Sequence, residues 1–343
     1  MPTHFAIMSL MNKEIKRVAI VRLSALGDIV NSAIVLQFIK QKYKNVTIEW
    51  ITEEAFLPLL LKNSSVNRVH SINLKKIKKE KNLDLLKQTI TKLKSLDEFD
   101  IIIDMQGLIK SAIVSKFIGK KTHGFDRKST RESLASLFYK SSSKIPYETS
   151  VVKRNCFVVA DALGFEIDDE MILNKKPIFK ITKKFKLQKE KKNIAFVIGA
   201  SWKSKIYPKE KIVEVCNALK QKCHIIWGSE QEKKNAEWIC KNSEFATLAP
   251  SLNLSELVSF ISHMDLLIGN DTGPTHMAWA QNISSITLFG PTNLRMIYET
   301  PTNIGIESPS KVNILKINKN DFSIQEIPSQ TLIEKAKELL YGL

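Results

Sequence analysis

Disulfides, zinc fingers and membrane spans are all missing from this chain, and each absence narrows its class. Its four cysteines, Cys156, Cys216, Cys223 and Cys240, lack the paired spacing of a zinc site. They read as reduced, buried and structural, with the cytoplasm as default compartment. No apolar run approaches the length of a membrane-spanning helix. The opening Phe5 to Met11 is too short and too poorly framed for a secretory signal. Met11, just before Asn12-Lys13-Glu14-Ile15-Lys16-Arg17, is a second candidate start beside Met1. Glycine (12) and proline (11) are sparse, and 43% of residues are apolar, as in a folded globular protein. At 343 residues there is room for two domains of ordinary size.

Acid is also scarce. Against 52 Lys and Arg stand 35 Asp and Glu, a net charge of +17. Nucleic acid, an anionic membrane surface and acidic small substrates are candidate partners, as is an AT-rich genome that merely inflates lysine. No aromatic-interleaved basic motif, zinc finger or RNA-binding signature appears, which disfavours nucleic acid.

What is present is a steady alternation of apolar strand-like runs and helical patterns, the mark of parallel sheets covered by helices. In the first half, strands are expected at Val18 to Leu23, Thr47 to Thr52, Arg68 to Ile72 and Asp100 to Asp104. Helices are expected at Ile29 to Lys40, Asn82 to Leu96 and Arg131 to Tyr139. A lysine-crowded stretch, Lys175 to Lys192, breaks the pattern and reads as a solvated connection or a charged strand pair near it. The pattern restarts with strands at Asn193 to Ile198, His224 to Trp227, Met264 to Ile268 and Ser285 to Phe289. Helices Pro208 to Lys222, Gln231 to Lys241, Leu254 to His263 and Thr331 to Leu340 lie between and after them. The halves are built alike, which points to two doubly wound domains facing a cleft.

Several polar turns follow these strands, at the carboxyl ends where open α/β sheets bind ligands. Arg22-Leu23-Ser24-Ala25-Leu26-Gly27-Asp28 lacks the G-x-G-x-x-G spacing of a dinucleotide site. Asp28 either caps the following helix or serves as a general base. Asp104-Met105-Gln106-Gly107 is a second such turn, or simply a polar one. In the second half, Ser201-Trp202-Lys203-Ser204-Lys205-Ile206-Tyr207-Pro208 puts an ammonium on a loop before a helix, which suits a diphosphate. Trp227-Gly228-Ser229-Glu230 offers an acidic residue for ribose hydroxyls, or a capped helix start. Gly269-Asn270-Asp271-Thr272-Gly273-Pro274-Thr275-His276 hands a buried strand straight to a helix, leaving amides aimed at one point for an anion. Lys75, Lys76, Lys78 and Lys79 form a basic cluster, either a solvated face or a seat for an anionic acceptor or membrane.

Taken in order, these motifs resemble glycosyltransferase family 9, the lipopolysaccharide heptosyltransferases. The marks are Ser24-Ala25-Leu26-Gly27-Asp28, Asp104-Met105-Gln106-Gly107-Leu108-Ile109-Lys110-Ser111, Lys205-Ile206-Tyr207-Pro208, Asp271-Thr272-Gly273-Pro274-Thr275-His276 and Phe289-Gly290-Pro291-Thr292. His123-Gly124-Phe125-Asp126 followed by Arg131-Glu132-Ser133-Leu134-Ala135-Ser136-Leu137-Phe138-Tyr139 resembles the family's type I members rather than types II or III.

The resemblance implies an α/β GT-B fold of two Rossmann-like, doubly wound domains facing a cleft. Residues 1–175 would bind the acceptor and 176–327 the nucleotide sugar. A helix at 328–343 would pack back toward the N-terminal domain. The donor implied is ADP-L-glycero-β-D-manno-heptose and the acceptor the first Kdo sugar of Kdo-lipid A at the inner leaflet. Neither a cofactor nor a metal is implied, and the chain lacks an Asp-x-Asp motif. Asp28 would be the base and Lys205 would stabilise the leaving group. Donor contacts would come from Ser201, Glu230, Leu252, Asp271, Thr272, Gly273, Thr275 and His276. Acceptor contacts would come from Lys75, Lys76, Lys79, Arg131 and Gln106. Such a protein would sit peripherally on the cytoplasmic face of the inner membrane, needing no nucleic acid and no obligate protein partner. A transferase for a later core sugar, or a non-catalytic basic RNA- or membrane-binding protein on the same fold, remains as an alternative.

Overall fold

A computed structural model describes residues 14–188 and 190–342. The two candidate starts, the Phe5 to Met11 segment and Lys189 of the lysine run lie outside the described residues. The chain divides into two compact units, Met1–Ile178 and Phe179–Leu343.

The first unit holds a six-stranded sheet of β1 (Arg17–Val21), β2 (Thr47–Glu53), β3 (Arg68–Ile72), β4 (Ile101–Asp104), β5 (Thr122–Phe125) and β6 (Ser141–Ser143). All neighbours pair in parallel, in the order β3-β2-β1-β4-β5-β6. Parallel strands are covered on both faces, so they read as unbroken apolar runs, and Val18 to Val21 are wholly buried. Ala19, Val21, Ile51 and Ile102 carry one face of the sheet into a core closed by Leu93, Val114 and Ile118 from the helices Leu83–Lys94 and Ile109–Ile118.

The second unit repeats the plan. Its strands are β7 (Asn193–Val197), β8 (Lys222–Ile226), β9 (Ala246–Leu248), β10 (Leu266–Asn270), β11 (Ser284–Phe289) and β12 (Asn303–Glu307). Their order, β12-β11-β10-β7-β8-β9, is the first sheet's order displaced by six strands. Both are the doubly wound Rossmann order, in which the chain reverses direction across the sheet between the first and fourth strands of each half. In the closing helix Ser329–Tyr341 the buried face, Leu332, Ile333 and Ala336, belongs to the second unit's core.

The remaining differences have local causes. The segment expected as a helix at Arg131 to Tyr139 is a 3₁₀ stretch, Ser133–Phe138. β5 and β6 are too polar to show as strands in sequence. They are joined by a hidden network in which His123 meets Ser141 Oγ through Nδ1 (2.9 Å) and Ser143 Oγ through Nε2 (2.7 Å). Burial lowers the His123 pKa, against the pull of Asp161. The lysine run is more than a solvated tether. Gln281 accepts the Phe179 N–H (2.9 Å) and donates to the Phe179 carbonyl (3.0 Å), and Phe185 packs edge-on against Phe260 at 5.0 Å. All four cysteines are free, three of them buried.

Gly269 shows how tightly the second sheet meets its helix. A Cβ there would stand 2.6 Å from Thr275 Oγ1 and 2.8 Å from Val197 Cβ. Gly269→Ala should therefore lower stability by about 1–3 kcal/mol through overpacking. Thermal denaturation measures this, and an unchanged midpoint would mean the junction has slack.

Candidate active site

In each unit the direction reversal of the sheet gathers the motif-bearing loops at the carboxyl ends of two neighbouring strands. In the first unit these strands are β1 and β4. The loop leaving β1 enters the helix Leu26–Ala33, whose third residue is Asp28. The Asp28 Oδ2 accepts the Ala25 N–H (3.2 Å), closing the helix start, while Oδ1 pairs with Arg22 Nη2 at 2.8 Å. Both sequence readings of Asp28 are thus open to one side chain: it caps its helix and it keeps a partly exposed carboxylate at a sheet end. Arg22 is itself buried, and its Nη1 donates to the Met105 carbonyl on the loop after β4.

The β4 loop is a scaffold for the first one. Asp104 is fully buried, accepting the amides of Gln106 (2.8 Å) and Gly107 (3.2 Å) and the Tyr139 hydroxyl (2.7 Å). Burial pushes its pKa up in spite of those bonds. Gly107 takes φ +66°, a left-handed turn that only glycine adopts cheaply. Gln106, expected at the acceptor, commits its carbonyl oxygen to the Leu23 N–H at 2.8 Å and so braces the loop that carries Asp28. Lys75, Lys76 and Lys79, expected at the acceptor, are exposed on the short helix Leu74–Glu80. Asn73 caps that helix through the Lys76 N–H (2.9 Å), and Glu54 receives Asn73 Nδ2 (2.7 Å). Arg131 is also exposed.

In the second unit the corresponding strands are β7 and β10. Asp271, the first residue after β10, is the hub. Lys205 Nζ lies 2.5 Å from Asp271 Oδ2 and donates to the Asp271 carbonyl at 2.9 Å. Thr292 Oγ1 donates to the same Oδ2 (2.7 Å), and His276 Nε2 meets Oδ1 at 3.0 Å. Lys205, Asp271 and His276 are all buried. Burial alone would raise the Asp271 pKa; the Lys205 ammonium and the His276 ring outweigh it and hold this carboxyl well below the usual carboxylate range. An ionised Asp271 only accepts, so His276 Nε2 carries the proton it shares. His276 is the partner of Oδ1 among the described residues.

The helix Gly273–Ala280 begins beside this hub, with Thr272 at its N-cap. Thr275 is turned inward: its hydroxyl donates to the Asn270 carbonyl (2.7 Å), and its amide is closed onto the Thr272 carbonyl. Pro274 has no N–H, which leaves the Thr272 and Gly273 amides without a partner among the described residues. The anion contacts expected of this turn therefore narrow to those two amides and the Thr272 hydroxyl. Ser201 is exposed on the β7 loop, and Leu252 is half-buried after β9.

One residue was missed by sequence reasoning. Glu230 is exposed on the first turn of the helix Glu230–Asn242. Glu232, two residues on, reaches back: its Oε2 accepts the Gly228 N–H at 2.7 Å, and its carboxylate lies against Gly199, where a Cβ would fall 2.3 Å from Oε1. The carboxylate held beside the ends of β7 and β8 is thus that of Glu232. Its signal was the pair of glycines that make room for it.

Among the described residues, no group of three or more His, Cys, Asp or Glu is placed to hold a metal ion. No helix there is long and apolar enough to cross a membrane.

The depressed pKa of Asp271 gives this residue a pH-dependent share in stability. A carboxyl held below its ordinary value of 3.8 adds stability that is complete above that pH and is lost as the pH falls below it. Asp271→Asn leaves Lys205 buried without its counter-charge and should cost about 3–5 kcal/mol at pH 7. Denaturant titrations at stepped pH should show the gap to wild type closing in acid. A gap that stays constant would remove the charge argument.

The profile of glycosyltransferase family 9 (heptosyltransferase) matches residues 86–321. The chain is 34% identical to the lipopolysaccharide heptosyltransferase 1 of Campylobacter coli over 342 residues, covering 94% of this chain and 98% of that one. In structure it resembles the E. coli heptosyltransferase WaaC solved with ADP-2-deoxy-2-fluoro heptose, with a TM-score of 0.76 at 21% identity, over 94% of this chain and 99% of that one. The E. coli ADP-heptose lps heptosyltransferase II follows with a TM-score of 0.67 at 18% identity, over 95% and 99%. With Asp28 and the Lys205–Asp271 hub at the sheet ends that such folds use for ligands, the chain belongs to glycosyltransferase family 9 and is a glycosyltransferase of the GT-B fold.

Proposed function

We propose that this chain transfers L-glycero-D-manno-heptose from ADP-L-glycero-β-D-manno-heptose to the first Kdo of Kdo-lipid A, the step that begins the heptose region of the lipopolysaccharide inner core. The observation that carries this reading is the Lys205–Asp271–His276 hub beside the two open amides of Thr272 and Gly273. Such a group suits a departing phosphate. The relative from Campylobacter coli, named for this activity and aligned over nearly the whole chain, supports the choice of sugar.

The reaction is a single displacement with inversion. A Kdo hydroxyl oxygen attacks the anomeric carbon of the heptose, and Asp28 takes its proton. The bond from that carbon to the β-phosphate oxygen breaks through an oxocarbenium-like state, and its electron pair leaves with ADP. Lys205 and the Thr272 and Gly273 amides meet the charge that develops on the phosphate. The leaving group's charge is assigned to these groups rather than to a metal ion. Asp271 holds Lys205 in place and offers its remaining lone pair to a heptose hydroxyl. Glu232, in the role first expected of Glu230, accepts from the ribose, and Leu252 packs on the adenine. Arg22 orients Asp28 toward the acceptor hydroxyl.

Lys75, Lys76, Lys79 and Arg131 receive the anionic acceptor. Together with the net charge of +17 they bring the protein to the anionic cytoplasmic face of the inner membrane. Neither nucleic acid nor a protein partner enters this reading.

Incubation with ADP-heptose and Kdo-lipid A, followed by mass spectrometry of the lipid, should show one heptose gained. Gain only on an already heptosylated acceptor would move the protein to a later step. Asp28→Asn keeps an oxygen for the helix cap and should lower turnover by about 100-fold or more while ADP-heptose still binds. Near-normal turnover in that variant would dismiss the base. Lys205→Ala should weaken both donor binding and rate, and would end the leaving-group role if it changed neither.

A further inference from the structure

We infer that Lys319 is a second cation for the donor's diphosphate, seated beside Lys205 by the ring of Trp202; this rests on the donor reading above. Lys205 Nζ lies 5.1 Å from the centroid of the Trp202 ring, and Lys319 Nζ lies 4.9 Å from it. Two ammonium groups at one indole repel each other, and the ring quadrupole offsets only part of that. The two are unlike in one respect. The Lys205 charge is already answered by Asp271, whose carboxylate and carbonyl take two of its three N–H groups. Lys319 is exposed and pairs with no carboxylate among the described residues. The Trp202 ring therefore gathers two cations against one buried anion, an excess of one positive charge beside the leaving-group lysine. A diphosphate, two adjacent charged phosphoryl groups, is the ligand whose chemistry fills that deficit.

The placement of Lys319 is built into the chain around it. Asn318 Oδ1 accepts the Asn320 N–H (3.0 Å), and the Asn318 carbonyl accepts the Asp321 N–H (3.3 Å), closing the turn that carries Lys319. Asp321 then ties that turn down: Oδ2 accepts from Ser310 Oγ at 2.6 Å and Oδ1 from the Ser323 N–H at 3.0 Å. Ser323 in turn meets Ser308 Oγ at 2.7 Å, on the segment leaving β12. The 3₁₀ stretch Ser323–Glu326 packs against the 3₁₀ stretch Lys203–Lys205. Two stretches remote in sequence thus bring Lys319 to Trp202.

As the heptose–phosphate bond breaks, negative charge grows on the β-phosphate of ADP. An ammonium with no internal counter-ion meets that charge more strongly than one already paired. Lys319 should thus favour a nucleoside diphosphate over the monophosphate, which lacks the group it touches.

Titration calorimetry of ADP and AMP at fixed ionic strength tests this on the full chain. Lys319→Ala should weaken ADP by about tenfold, the size of one charge-assisted hydrogen bond, and leave AMP at its wild-type affinity. Trp202→Leu, which removes the seat, should reproduce the selective loss, and Lys319→Arg should retain most of the ADP affinity. Unchanged ADP binding in Lys319→Ala, or an equal loss of ADP and AMP, overturns the inference. A wild-type protein that binds no ADP overturns the donor reading itself, which is a separate outcome.

Discussion

The ion pair between Lys205 and Asp271 is the interaction on which the second unit's site depends. Two opposite charges are buried together, and a buried pair is held only when its geometry and its further hydrogen bonds repay desolvation. Here they do: the carboxylate takes Lys205 and Thr292 on one oxygen and His276 on the other. Lys205 comes from the β7 loop, Thr292 from the loop after β11 and His276 from the helix after β10, so one carboxylate ties these three segments together. In the proposed reaction, the cation that meets the departing phosphate is thereby set before any substrate arrives, and no reorganisation is required at the moment of bond breaking.

The first unit solves the matching problem with a different chemistry. Its partly exposed carboxylate, Asp28, is steadied by a buried guanidinium that also holds the neighbouring loop through Met105. Gln106 and Asp104 brace that loop from beneath. Repeating one sheet order in both units thus yields two loop pairs in the same topological place. One is centred on a carboxylate that faces outward and the other on a carboxylate that faces inward.

Much of this was legible in the sequence, and the reasons differ by element. The buried parallel strands were visible because both their faces are covered, so β1, β7 and β10 are apolar over most of their length. The turn at Asp271 was visible because a strand running into Pro274 has few other conformations. β5 and β6 were invisible because their polar side chains satisfy one another across the strands, a partnership that no local pattern records. Glu230 and Glu232 sit on one helical turn, and only the space left by Gly199 and Gly228 distinguishes them. Lys319 is one lysine among many, and its meaning lies in a tryptophan far away in the chain.

β6 closes one edge of the first sheet with three serines in a row, two of them exposed. An uncovered edge presents unpaired backbone groups on which a strand from another molecule can build. A strand this short and hydrophilic offers such a visitor almost no apolar surface to bury. The side chain of Ser143 is also occupied at home, between His123 and Asp161. The polarity that hides β6 from pattern recognition is thus also a safeguard, keeping a sheet with an open margin from seeding aggregates in a crowded cell.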